Sequence, residues 1–88
     1  MVKKEVSVQN KTGLHARPAS EFVKKASTFK SSIFIEFKDR SINAKSIVGI
    51  LSAGIGYGSK LVLTAEGEDE EEALRVLADL VDNKFGEE

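Results

Sequence analysis

Hydrophobic and polar residues alternate over the first eight positions. Val2, Lys4, Val6 and Val8 fall on one side of an extended chain, and Lys3, Glu5 and Ser7 on the other. That is the period-two pattern of a half-buried strand, with Lys4 as its one imperfect position. After a polar loop at residues 9–13 the period changes. Ala16, Ala19, Phe22, Val23, Ala26 and Phe29 recur at helical spacing, which predicts a helix with one buried stripe. Ile33, Ile35 and Phe37 return to alternation. Residues 38–41 then read as a tight turn, and residues 41–43 as a short antiparallel return strand. Ser46 stands where an N-cap belongs, ahead of a short apolar run at residues 47–51. Residues 54–59 carry three glycines and read as a loop. Leu61, Leu63 and Ala65 predict another strand. Ala73, Leu74, Leu77, Leu80, Val81 and Phe85 predict a final helix that ends before Gly86.

The order is strand, helix, strand, strand, short helix, strand, helix. Alternating strands imply a sheet covered on one face only. The expectation is an α+β fold, an open-faced β-sandwich: a four-stranded antiparallel sheet with three helices on one face (βαββαβα), in one domain spanning residues 1–88.

Composition narrows the chemistry. The chain has 88 residues, no Cys and one His. It therefore has no disulfide framework and no thiol nucleophile, and a zinc site would need carboxylates for almost every ligand. No metal and no cofactor are expected. No stretch has the length of an apolar span and no signal-peptide pattern follows Met1, which together point to a cytoplasmic protein with no membrane role. The net charge of −1 hides an asymmetry: residues 1–60 hold eleven Lys/Arg against four Asp/Glu, residues 61–88 two against ten. The basic part attracts acidic or phosphorylated partners, or is simply a solvated face. Its lysines are scattered and lack interleaved aromatics, which argues against nucleic acid.

The two long helices open differently. The second follows five consecutive acids, residues 68–72, as the positive end of a helix dipole favours. The first opens at Ala16 with His15 at its cap, Arg17 and Pro18 in its first turn, and no acid. Pro18 is tolerated there because its missing N–H would have no intrahelical acceptor. Gly13 lets the preceding loop turn sharply. The N–H groups of Ala16 and Arg17 then form an anion site, and the Arg17 guanidinium suits phosphate oxygens. Near neutral pH an imidazole offers a lone pair that can attack a phosphoryl group in line. Three readings of these residues remain open: a phosphoryl carrier, a small phosphatase, and an interaction module in which His15 does no chemistry.

The run Thr12-Gly13-Leu14-His15-Ala16-Arg17-Pro18-Ala19-Ser20, with Asn43-Ala44-Lys45-Ser46-Ile47-Val48-Gly49-Ile50-Leu51 further on, resembles HPr, the histidine-containing phosphocarrier family of the bacterial sugar phosphotransferase system. The resemblance covers essentially the whole chain and includes the order of elements. It implies that His15 accepts a phosphoryl group on Nδ1 from enzyme I, charged by phosphoenolpyruvate, and passes it to EIIA domains of sugar permeases. Arg17 would steady the phosphohistidine, with the Ala16 N–H and the helix start at Pro18. Ser46 matches the serine that HPr kinase/phosphorylase modifies with ATP in carbon catabolite control, a form that engages a catabolite control transcription factor and is a poor acceptor from enzyme I. Because His15 is present, the resemblance points away from the catabolite-repression paralogue that lacks this histidine. A monomer is expected of a carrier that shows one small surface to several partners.

Docking surfaces follow from the short helix. Ile47, Val48, Ile50 and Leu51 cover nearly all its sides, and so short a helix cannot bury them all. The expectation is that Ile50 is core, and that Ile47, Val48 and Leu51, with position 20 (Ser20), form an exposed partner-docking patch. Many members of the resembling family carry Met at positions 48 and 51; Val48 and Leu51 keep the patch apolar. Gly56 and Tyr57 also depart from many relatives.

Overall fold

The computed structural model describes residues 1–86. Four strands, β1 (Val2–Ser7), β2 (Ser32–Phe37), β3 (Arg40–Asn43) and β4 (Lys60–Glu66), form one sheet in the order β1-β4-β2-β3. Every pairing is antiparallel. Three helices, α1 (Ala16–Ala26), α2 (Ile47–Ser52) and α3 (Glu70–Asp82), complete an open-faced sandwich.

Register explains the core. Leu63 lies opposite Lys4 on β1 and Ile35 on β2, and Ile35 lies opposite Ile42 on β3. Paired residues in an antiparallel ladder project to the same face. One row thus brings Leu63, Ile35 and Ile42 together under the helices, all buried. Val2, Ala65 and Ile33 make the next row. Lys4 sits at the sheet edge and is exposed, so a charged residue is accommodated on the inward side of β1. The opposite face carries Ser32, Phe34 and Glu36, all exposed.

The helices close the other face with Phe22, Leu77 and Val81, each fully buried. Two aromatics expected on helical stripes lie outside the helices. α1 ends at Ala26, and Phe29 packs half-buried from the turn that follows. α3 ends at Asp82, and Phe85 reaches the core from a left-handed turn (φ 56°), edge-on to Phe22 with ring centroids 6.5 Å apart. Hydrophobic spacing registers burial but not whether the backbone between buried residues is still helical. The turn between β2 and β3 is two residues long, Lys38 and Asp39, both with positive φ (49° and 64°). Those angles match the right-handed twist of the flanking strands.

Candidate functional site: an exposed histidine at a helix start without acids

The site begins in the loop before α1. Asn10 and Gly13 make a four-residue turn in which the Gly13 N–H donates to the Asn10 carbonyl at 3.0 Å. The buried Asn10 amide returns the contact, donating to the Gly13 carbonyl at 2.7 Å and to Thr12 Oγ1 at 3.2 Å. Asn at the first and Gly at the fourth position is a recognised turn pattern, so Asn10 was findable from sequence although only Gly13 stood out there.

Gly13 has φ +67°, and a Cβ on it would lie 2.6 Å from Gly56 Cα and 2.7 Å from the Ile55 carbonyl oxygen. The next residue, buried Leu14, donates its N–H to that same carbonyl at 2.9 Å. The two residues before His15 are therefore fixed against the segment that leaves α2. Sequence alone gave a reason for a glycine at position 13, a sharp turn. The close approach to Gly56 is a second reason, and it is long-range.

His15 is the N-cap of α1, in extended conformation (φ −83°, ψ −169°), and its side chain makes no capping hydrogen bond. The first helical hydrogen bond runs from the Ala19 N–H to the His15 carbonyl at 2.9 Å. The amides of Ala16 and Arg17 precede it and have no intrahelical acceptor, and Pro18 has none to satisfy. No acid lies in the first turn, and Lys24 and Lys25 occupy the last. His15, Ala16 and Arg17 are exposed, Pro18 is buried, and Ser20 is half-buried. The partial positive charge of the terminus and the Arg17 guanidinium thus lie on consecutive residues after one accessible imidazole. α3 is the contrast, with Glu70, Glu71 and Glu72 in its first turn.

α2 packs beside α1. Ser46 is its N-cap, and the Ser46 Oγ accepts the Gly49 N–H at 3.1 Å. Ile50 is fully buried, whereas Val48 is 70 % and Leu51 43 % exposed. Ile47, expected to be exposed, is half-buried and packs against the core. A helix of six residues turns two of its apolar side chains inward, not one.

An exposed cap histidine, two helix amides without intrahelical acceptors and an arginine thus stand on three consecutive residues at the surface. The family described as "PTS HPr component phosphorylation site" matches residues 2–83. The HPr-like protein Crh of Halalkalibacterium halodurans is 49 % identical over 84 residues, covering 96 % of this chain and all of that protein. The phosphocarrier protein HPr of Neisseria meningitidis is 40 % identical, covering 99 % of this chain and 98 % of that one. Among solved structures, HPr-C-His from Thermoanaerobacter tengcongensis superposes with a TM-score of 0.97 at 52 % identity, covering 100 % of this chain and 99 % of that one. A structure described as an HPr dimer from the same organism, also 52 % identical, superposes with a TM-score of 0.79 and covers 99 % and 100 %. This chain belongs to the HPr family of the phosphotransferase system.

Proposed function

We propose that this chain is a cytoplasmic phosphoryl carrier that takes its phosphoryl group from enzyme I onto His15 and passes it to EIIA domains of sugar permeases. The observation that supports this most directly is the exposed N-cap His15 at a first turn that lacks acids. In the transfer, Nδ1 of the imidazole attacks phosphorus in line. A nitrogen–phosphorus bond forms as the bond to the donor breaks, and the donor keeps the bonding electrons. The ring N–H proton remains on the carrier or passes to water. The phosphoryl oxygens meet the amides of Ala16 and Arg17 and the Arg17 guanidinium, which suits charge-assisted contacts to phosphate. Because the helix holds the two amides in place before the phosphoryl group arrives, little reorganisation of the backbone accompanies the step.

Intact mass after incubation with phosphoenolpyruvate and enzyme I tests this. An acid-labile phosphoryl adduct that His15→Ala lacks is expected; no adduct on the wild-type chain removes the reading. The likeness to the HPr-like protein Crh favours a second role, as a regulatory interaction module. For this we propose Ser46 as the substrate of HPr kinase/phosphorylase, with a catabolite control transcription factor as the partner of the modified form. Its half-exposed position at a helix start without acids supports the assignment, since a phosphate there adds favourable negative charge. An adduct formed with ATP and the kinase, stable in acid and lost in Ser46→Ala, is the expected result. We propose further that the carrier acts as a monomer; a dimer in sedimentation at working concentration would refute that part.

A further inference from the structure

The loop after α2 holds an exposed aromatic side chain that the docking patch does not include. Tyr57 is 66 % exposed, comparable to Val48. A Cβ on either neighbour, Gly56 or Gly58, would meet nothing beyond its chain neighbours within 4 Å, so the space beside the tyrosine is open.

The tip is nevertheless braced. The Gly56 N–H donates to Ser59 Oγ at 3.2 Å and the Ser59 N–H to the Gly56 carbonyl at 3.1 Å. Val8 and the loop exchange two more bonds at 2.9 Å, from the Gly58 N–H to the Val8 carbonyl and from the Val8 N–H to the Ser59 carbonyl. The ring is thus presented on a backbone that is already ordered, which lowers the entropy lost when a partner covers it.

The brace also ties Tyr57 to the site. Ile55 and Gly56 are the residues against which Gly13 and Leu14 are fixed. His15 follows one side of that contact and Tyr57 the other, so their Cα atoms lie within roughly 17 Å. A standard interface covers about 800 Å² per partner, on the order of 30 Å across, and spans both. The charge pattern is one-sided: residues 6–20 and 40–65 contain no Asp or Glu. A partner seated here would complement an apolar patch with an acidic rim.

We infer that Tyr57 anchors the protein that donates the phosphoryl group, by inserting its ring into an apolar, acid-rimmed face while His15 meets the phosphate. The inference rests on the carrier reading above. It assigns the donor rather than the acceptors because an aromatic on an ordered backbone suits a single fixed partner, whereas a surface that serves several acceptors favours adaptable contacts.

The test is phosphoryl transfer from enzyme I charged with phosphoenolpyruvate, measured against carrier concentration for the wild type, Tyr57→Ala, Tyr57→Phe and Tyr57→Asp. Tyr57→Ala is expected to raise KM about tenfold with kcat within about twofold, since the ring contributes to docking and not to the chemical step. Tyr57→Phe restores the wild-type value, and Tyr57→Asp, which sets a like charge against the rim, raises KM further. The His15 imidazole resonances in NMR stay unchanged throughout. An unchanged KM for Tyr57→Ala overturns the inference, as does a shift of the His15 resonances or a KM effect seen only with an EIIA acceptor. Those results leave the carrier reading standing; a wild-type chain that accepts no phosphoryl group removes both.

Discussion

Asp69 and Ser31, 38 residues apart, are joined through one carboxylate oxygen. Asp69 Oδ1 accepts both the Ser31 backbone N–H, at 2.9 Å, and the Ser31 hydroxyl. Its second oxygen, Oδ2, accepts the Lys30 N–H at 2.9 Å. Asp69 is the N-cap of α3, yet its side chain makes no hydrogen bond to that helix. It ties the β4–α3 connection to the start of β2 instead. Glu70 takes up the local role, accepting the Gly67 N–H on Oε1 at 3.0 Å.

That clamp predicts a pH dependence. The Ser31 hydroxyl, first, and then the Lys30 amide hold the Asp69 carboxyl below its ordinary value of 3.8. A depressed carboxyl contributes stability that is fully present above the ordinary value and is lost as pH falls through the lower folded-state value. Asp69→Asn should therefore have a lower Tm at neutral pH and a shallower loss of stability below pH 3.8 than the wild type. Thermal melts across an acid series measure both, and parallel curves for the two proteins would show that the clamp adds nothing.

Gly13→Ala should destabilise the domain by about 2 kcal/mol or more, because it places a side chain at positive φ and drives a Cβ into the Gly56 backbone. Gly56→Ala faces open space, and its expected effect is within about 0.5 kcal/mol. Urea unfolding of both variants checks the asymmetry. Because Gly13 positions His15, the first variant should also accept phosphate more slowly under conditions where it is fully folded.

Within α2, Ile50→Ala and Val48→Ala should separate folding from docking. Ile50 is fully buried, and truncating it should cost about 2–5 kcal/mol. Val48 is mostly exposed, and its truncation should leave stability within about 0.5 kcal/mol. On the carrier reading the Val48 variant instead raises KM for enzyme I.

Arg17→Lys keeps the charge but loses the planar fork, so phosphoryl transfer should slow by roughly tenfold while Tm is unchanged. Equal rates for the two proteins in a rapid-quench assay would mean that charge alone is enough at that position.

Ser46→Ala removes the bond to the Gly49 N–H and should cost about 0.5–2 kcal/mol. Ser46→Asp keeps an acceptor and adds a negative charge at the helix start, so its Tm should match or exceed that of the wild type. Its acceptance of phosphate from enzyme I should fall, as steady-state transfer assays would register.

What the sequence by itself determined is what neighbouring residues decide among themselves. The period of Val6 and Val8 against that of Ala19, Phe22 and Ala26 distinguishes strand from helix, because side-chain direction repeats every two or about 3.6 residues. Pro18, Ser46 and the acids before Ala73 marked helix starts through the backbone groups left over there. The candidate site was legible for the same reason: a cap histidine, an arginine and the lack of an acid are properties of six consecutive residues. Tertiary structure alone decided the rest. Strand order, the Asp69–Ser31 clamp and the contact of Gly13 with Gly56 join segments tens of residues apart, and no local periodicity encodes which segments meet. The same holds for Ile47, drawn half into the core, and for Phe29 and Phe85, which fill it from outside the helices. Burial depends on what stands opposite, and that is settled only when the sheet and helices pack.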